Sequence, residues 1–461
     1  MADELLVRMY NVELGDFIYL RVPDTDGELH ILIDCGTLSA EEVLTARLAD
    51  LKAELPQDAQ GKWVIDLLVV THPHLDHHKG LTPELFDDFV VKNLWLSPVY
   101  DRNNPDAVGF FALKAATQRA LTSLAGFAEG QLKVEVDGLL AMDKSEIIEH
   151  LVGGMGQGLT PLFVSAETPA EDLKLFKSEQ IHFRALSPMA NIDGYYMGGP
   201  GLDVSLSESD PGFTFGTEAL SAEQSEAFSK FLAEGYERLY RGEGQGEPDE
   251  PHNISTLDFM TLRARLKSNA LALAQMTGKI ENNLSVVLLL EWHGHRLLFT
   301  GDAEWDAAYK GAVKAGRCNG AWNVMWAMHK DELSNPMDFL KVGHHGSENA
   351  TPWAPKEEDK PEHPINQVLY AMLPLDRKDQ ALAVVSTERG NRYPSIPSGE
   401  LLMELAKRVK NVRADYIETH DSDKKLPPNT PQPERTDLQL SATGEPVPYI
   451  EHSFKPKEGI D

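Results

Sequence analysis

The sequence predicts an α+β fold, and three observations carry that expectation. Short apolar, β-branched runs of strand length recur near both ends of the chain and stop at turns bearing aspartate or histidine. The opening residues alternate polar and apolar with period two. Between these regions, longer segments place leucine and alanine at helical spacing.

Taken in order, residues 5–10 and 17–22 alternate, a turn at Pro23-Asp24-Thr25-Asp26-Gly27 follows, and residues 30–34 continue as a third strand. This is the pattern of a strand meander. Residues 40–55 have helical periodicity. The run 63–70 is largely apolar and too short for a typical helix, so it reads as one buried strand. It leads into Thr71-His72-Pro73-His74-Leu75-Asp76-His77-His78, four imidazoles and one carboxylate within eight residues. Imidazole and carboxylate are the ligands that Zn²⁺, Mn²⁺ and Fe²⁺ prefer, and a loop leaving a buried strand can aim them at one point. The chain is therefore expected to bind metal.

Residues 112–127 carry Leu113, Ala116, Ala120, Leu121, Leu124 and Phe127 at helical spacing. The glycine-rich stretch 153–158 lacks the Gly-Lys-Ser/Thr ending and the preceding strand of a phosphate loop, so it reads as a turn. Helices are expected over 222–240 and 257–275, with a disordered-looking stretch at 241–248. A strand resumes at 285–291, and His293-Gly294 marks a tight hairpin that leaves His293 and His295 on the surface. The basic run 407–413 follows the helical pattern Leu401, Leu402, Leu405, Val409, which makes it a solvated helix face.

The metal-ligand segment resembles the signature of the metallo-β-lactamase-fold hydrolases, and further motifs follow in that family's order. They are Asp34-Cys35-Gly36, Thr300-Gly301-Asp302 after the apolar run 296–299, and Lys341-Val342-Gly343-His344-His345-Gly346-Ser347. The wording of residues 11–16, 282–288, 300–304 and 340–347 is similar to the hydrolase domain of the DNA-uptake competence channels of ComEC type. The likeness covers roughly residues 1–100 and 280–400, and residues 183–188 look like the family's strand before its third motif. The resemblance implies an αββα sandwich with helical insertions. One hydrolase domain would span 1–420, interrupted by an insertion at about 100–280, with an irregular tail over 421–461. The insertion could also dock a protein partner.

The resemblance also implies roles. His72 and His74 would bind one metal, Asp76 and His77 a second, and Asp302 would bridge two ions, Zn or Mn, with His344 completing the second site. A hydroxide between the cations, placed by Asp76 and Asp302, would be the nucleophile. Asp34 would either orient a ligand histidine from behind or serve as a strand-end turn residue. Neighbouring side chains on an extended segment point opposite ways, so one histidine of each His-His pair should be a ligand; His77 and His344 are expected, with His345 the rival. Lys341 would contact an anionic substrate or simply lie at a strand edge.

Two departures stand out. Where many relatives have a histidine, this chain reads Glu281-Asn282-Asn283-Leu284-Ser285, so Asn282, Asn283, a water or His182 would complete the first site; a harder oxygen shell would favour Mn²⁺ or Mg²⁺. The competence branch usually shows Asn-x-Tyr-Gly-His-Pro, and here Asn391 and Tyr393 match while the histidine is missing.

Composition bounds the function. No apolar run approaches the ~20 residues needed to cross a bilayer, and residues 1–4 do not begin a signal peptide. Two cysteines, Cys35 and Cys318, give no disulfide framework, so a cytoplasmic protein without membrane contact is expected. Forty-three basic against 72 acidic residues leave a net charge of −29, a field that repels a long polyanion. The leading expectation remains a metal-dependent phosphodiesterase or nuclease. The alternatives are hydrolysis of a small ester, lactone or amide on the same site, and a metal-binding regulatory subunit.

Overall fold

The structure is a computed structural model of the 461-residue chain. It describes residues 4–126, 128, 130–141, 145–197, 256–305, 313, 319–347, 349–353, 364–387, 396–413, 432–433 and 448–458. The fold is α+β, built on two mixed sheets. The expected meander is present: β1 (Leu5–Tyr10), β2 (Phe17–Asp24) and β3 (Gly27–Cys35) pair antiparallel in sequence order.

The apolar run after them forms two strands instead of one. β4 (Trp63–Ile65) makes a parallel ribbon with β6 (Phe89–Val91), whereas β5 (Leu67–Val70) lies parallel between β3 and β7 (Leu94–Leu96). Asp66 causes the break. Its N–H donates to the His30 carbonyl at 2.8 Å, and its carboxylate accepts from the His30 N–H and from Lys92 Nζ, each at 2.8 Å.

β8 (Leu162–Phe163) extends the first sheet at one edge. The second sheet runs β13 (Leu382–Val384), β12 (Phe339–Lys341), β11 (His295–Phe299), β10 (Val287–Trp292), β9 (Ile181–Ser187). Its β11, β12 and β13 are parallel, while β10 and β9 are antiparallel. The turn His293-Gly294 joins β10 to β11 as expected, with both residues at positive φ and both histidines half-buried. β14 (Val412–Arg413) and β15 (Gln432–Pro433) form a separate ribbon. The expectation of a wholly irregular tail fails at β16 (Tyr449–Phe454), which pairs with the full length of β1 and closes the other edge of the first sheet.

Alternation along the strands sorts side chains into layers. Leu5, Val7 and Met9 join Leu288, Phe299 and Val384 in a core shared by the two sheets. Leu6 and Tyr10 point the other way, onto a core shared with helices Glu41–Lys52, Val108–Ala125 and Ser145–Val152. On the outer face of the second sheet, Leu289, Leu298 and Leu340 pack against Trp322, Leu369 and Leu402 of three further helices. Each such side chain removed from water contributes roughly 1.5–3 kcal/mol, which is why both faces of both sheets read as apolar.

The helix expected over 112–127 is Val108–Ala125; the Asp193 carboxylate accepts from the N–H groups of Gly109 (2.6 Å) and Phe110 (2.9 Å) at its first turn. The helix expected over 257–275 is longer, Thr256–Asn283, and its C-terminal half packs along Val108–Ala125 through Thr277 and Ala270. The expected helix at 222–240 lies outside the described residues. Glycines 154, 156 and 158 take left-handed turn conformations, as expected of a turn.

The basic run is not a solvated face. The helix Gly399–Ala406 ends before it, and Arg408 is fully buried, paired with Glu404, donating to the Leu373 carbonyl at 2.8 Å and stacked on Tyr370. Among the described side chains of the run, only Lys407 and Lys410 are exposed. No helix among the described residues is long and apolar enough to cross a membrane.

Candidate metal centre

The C-terminal ends of parallel strands from both sheets meet at one edge. β3 delivers Asp34, β5 the loop His72–His78, β11 Asp302, β12 the loop His344–Ser347 and β13 Ser386. Strand carboxyl ends are where sites assemble in open α/β sheets, because the loops there are free to vary while the strands fix their origins. Backbone bonds lock the loops together: Val286 N–H donates to Thr71 O at 3.0 Å and Asp16 N–H to Asp76 O at 2.9 Å. Gly36 must lack a Cβ, since one would stand 2.3 Å from the Asp76 carbonyl carbon. Gly301 is held at φ +50°, where a Cβ would meet Ser285 and Thr71 at about 3 Å.

Asp34 is the anchor. Its Oδ1 accepts from Thr71 N–H at 2.8 Å, and its Oδ2 accepts from the Thr71 hydroxyl and from His77 Nδ1, each at 2.7 Å. That bond places the proton of His77 on Nδ1 and turns Nε2 toward Asp302 Oδ2, 3.2 Å away. Asp302 Oδ2 is the centre of the group, also 3.9 Å from His72 Nε2 and 4.0 Å from His345 Nε2. Its carboxylate is steered by His344 N–H on Oδ1 and by Ser285 Oγ on its own N–H, each at 3.0 Å. His345 Nε2 lies 2.9 Å from Asp76 Oδ2, with its Nδ1 on Ser386 Oγ at 3.0 Å.

One donor atom from each of Asp76, His77, Asp302 and His345 thus lies within 4.8 Å of all the others, and all four residues are buried. Asp76 Oδ1 and His77 Nε2 have no hydrogen-bond partner although both are buried. Buried polar atoms are seldom left so, and two lone-pair atoms aimed at a shared space fit a cation. The donor set of two imidazoles and two carboxylates suits Zn²⁺ or Mn²⁺. Burial opposes a charge on His77, but without a cation the Asp302 and Asp34 carboxylates on its two sides outweigh burial and hold its pKa well above the ordinary value, so a proton on Nε2 takes the place that a metal ion would fill. The space between His77 and Asp302 favours positive charge.

The backbone decides between the paired histidines. Leu75–His78 is a helical turn and His344–Gly346 a 3-10 turn, so side-chain alternation along an extended segment does not apply. Within the first turn His77 faces the cluster, and His78 turns to the Tyr100 hydroxyl at 3.1 Å, where burial pushes its pKa down to about 3. In the second, both histidines adopt positive φ, 43° and 52°, conformations uncommon outside glycine and characteristic of strained functional turns. His345 enters the cluster, whereas His344 Nδ1 pairs with Glu304 Oε1 at 3.1 Å. The structure therefore places the rival, His345, where the sequence reading put His344.

His72 and His74 lie beside the cluster, their Nε2 and Nδ1 atoms 3.0 Å apart. Asn283 does not face the ions' position: its Oδ1 accepts from Glu304 N–H at 3.2 Å and Ala321 N–H at 2.6 Å, holding the turn after Asp302 in place. His182 is on the far side of its strand, paired with Glu291. Lys341 is neither at a strand edge nor open to substrate. It ends β12, an interior strand flanked by β13 and β11, and is fully buried, ion-paired with Asp16 and donating to Gly301 O at 3.1 Å. Asn391 and Tyr393 lie outside the described residues.

Sequence reasoning missed three residues of the centre. Asp16, fully buried, and Glu281, nearly so, look like ordinary members of their motifs, and Thr71 is simply the residue before the histidines. Acidic residues at buried positions are rare unless paired, but burial itself was not visible in the sequence. No protein-family model matches the chain, and no curated protein matches it.

Proposed function

We propose that the chain is a metal-dependent hydrolase of the metallo-β-lactamase type that cleaves phosphodiester bonds in nucleic acid or a nucleotide. The observation that carries this reading is the convergence of Asp76, His77, Asp302 and His345 at the joint edge of two sheets. The order of the strand-end motifs and the helix–sheet–sheet–helix layering support the fold assignment. A bound divalent cation supplies Lewis acidity and water activation near neutral pH. The protein's part is positioning. Asp34 fixes the His77 tautomer, Ser386 orients His345, and Ser285 with His344 N–H sets the Asp302 carboxylate. Cys35, buried and free, fits a reducing, cytoplasmic setting.

The net charge of −29, together with the burial of Arg408, favours a second reading in which the substrate is a small ester, lactone or amide. Elemental analysis of the purified protein, joined to a screen against bis-p-nitrophenyl phosphate, nucleic acids and a lactone panel, separates the two. Turnover of phosphodiesters with bound Zn or Mn is the expected result. Lactone turnover with every phosphodiester untouched would move the second reading to the front.

A further inference from the structure

The neighbours of His72 and His74 favour one tautomer of each ring. Glu281 Oε2 lies 3.2 Å from His74 Nε2, which places the proton there and leaves a lone pair on Nδ1. Thr71 Oγ1 gives its own proton to Asp34, so toward His72 Nδ1, 3.1 Å away, it can act only as an acceptor; with the proton on Nδ1, shared with Ser285 Oγ at 3.2 Å, the lone pair of His72 is on Nε2. Two lone pairs therefore converge at 3.0 Å beside Asp302 Oδ2, an arrangement that a cation relieves. This position is poorer in ligands than the neighbouring cluster. Ser285 Oγ is turned to His72 Nδ1 and the Asp302 N–H, and Asn283 is held by backbone donors.

Glu281 comes from the last turn of the helix Thr256–Asn283, and its other oxygen accepts from Lys114 Nζ at 2.7 Å on the helix Val108–Ala125. Both helices belong to the insertion between β7 and β10, whereas His72 and His74 belong to the sheet edge. A nearly buried carboxylate, neutralised on one side, thus orients a sheet-edge imidazole from the helical layer over the first sheet.

In the metal-loaded protein Asp76, His77, Asp302 and His345 would hold one divalent ion and His72 with His74 a second, the two positions that the family resemblance implies; we propose that the second position is the weaker and that the insertion sets its strength through Glu281. Glu281 is then a positioning residue, and the inference rests on the metal-dependent reading above. Metal-free protein titrated with Zn²⁺ and with Mn²⁺ by calorimetry, with elemental analysis of the end point, tests it. The expected result is stepwise binding, the second ion at least tenfold weaker than the first. Glu281→Ala should weaken the second step by about 10–100-fold and leave the first unchanged. Glu281→Gln, which keeps an acceptor for Lys114, should fall between and serves if the alanine variant does not fold. His345→Ala should abolish the tight step. Two ions of equal affinity, a second step indifferent to Glu281, or equal weakening of both steps would overturn the proposal while leaving metal dependence standing. Wild-type protein that takes up neither ion would overturn both.

Discussion

Asp34 Oδ2 lies 2.7 Å from His77 Nδ1, and neither side chain is exposed. The contact links the end of β3 to the ligand loop of β5 and fixes one ring nitrogen as a donor, so that the other faces Asp302. Because Asp34 also accepts twice from Thr71, a single carboxylate sets both the loop's backbone and the imidazole's tautomer.

Asp34→Asn should therefore weaken metal binding by about 10–100-fold with secondary structure retained. Competition against a chelator, read beside circular dichroism, checks it. An affinity equal to wild type would mean that His77 is oriented by something other than Asp34.

If the chain is the metal-dependent phosphodiesterase proposed above, Asp302→Ala should remove metal and activity together. Among the carboxylates of the described residues, Asp302 Oδ2 is the one oxygen within 4.0 Å of His72, His77 and His345 nitrogens alike, so its loss breaks the group at its centre. A fall in kcat of roughly a thousandfold or more is expected when a unit of this kind is broken. Equal activity in wild type and variant would point to a contaminating enzyme.

The sequence made the strand-end sites legible because hydrophobic runs and motif order survive without coordinates. The meander, the ligand loop and the strand-end positions of Asp34 and Asp302 follow from them, whereas the choice for Asp34 between orienting a histidine and ending a strand comes only from its bond to His77. The choice of His345 over His344 was not legible, since it depends on two consecutive left-handed residues that alternation cannot foresee. Asp66 looks like one polar residue inside a strand, yet the hydrogen bonds of its backbone and carboxylate divide that strand between two sheets. β16 is six residues of mixed polarity whose identity as an edge strand comes wholly from pairing with β1, more than 400 positions away. Nothing local in the sequence announces the burial of Glu281 and Lys341.

β16 also gives a pH prediction away from the metal centre. His452 has a buried Nε2 without a partner, and burial, with Lys410 nearby, pushes its pKa down to about 4 from an unfolded value of 6.5. The folded state thus holds His452 neutral. Its contribution is fully present above pH 6.5 and is lost as pH falls toward 4, where the unfolded chain binds the proton more readily, a loss of up to about 3 kcal/mol. His452→Leu should flatten the fall in urea midpoint between pH 6.5 and pH 4 relative to wild type. Parallel curves for the two proteins would show that His452 does not contribute to the acid limb.

Lys341 and Asp16 form a buried ion pair beneath the cluster, and their energetics differ from those of a substrate-binding lysine. Burial lowers the Lys341 pKa, but Asp16 and Asp302 more than compensate, and the group stays charged. Lys341→Met would leave Asp16 buried without its counter-ion, close to Asp34, which costs about 3–5 kcal/mol. Asp16→Asn would strand the ammonium in the same way, although Asp302, 3.9 Å from Lys341 Nζ, would retain part of the attraction. The double variant removes both charges, so it should be less destabilised than the sum of the singles by about 1–3 kcal/mol. Urea denaturation of the three variants in chelator measures this coupling directly. Repeating it with excess Zn²⁺ should narrow the gap between Lys341→Met and wild type, because a bound cation answers the same carboxylates that the ammonium did. Strict additivity in chelator would mean that the two side chains are neighbours without being partners, and Lys341 would then have to be explained by its bond to the Gly301 carbonyl alone.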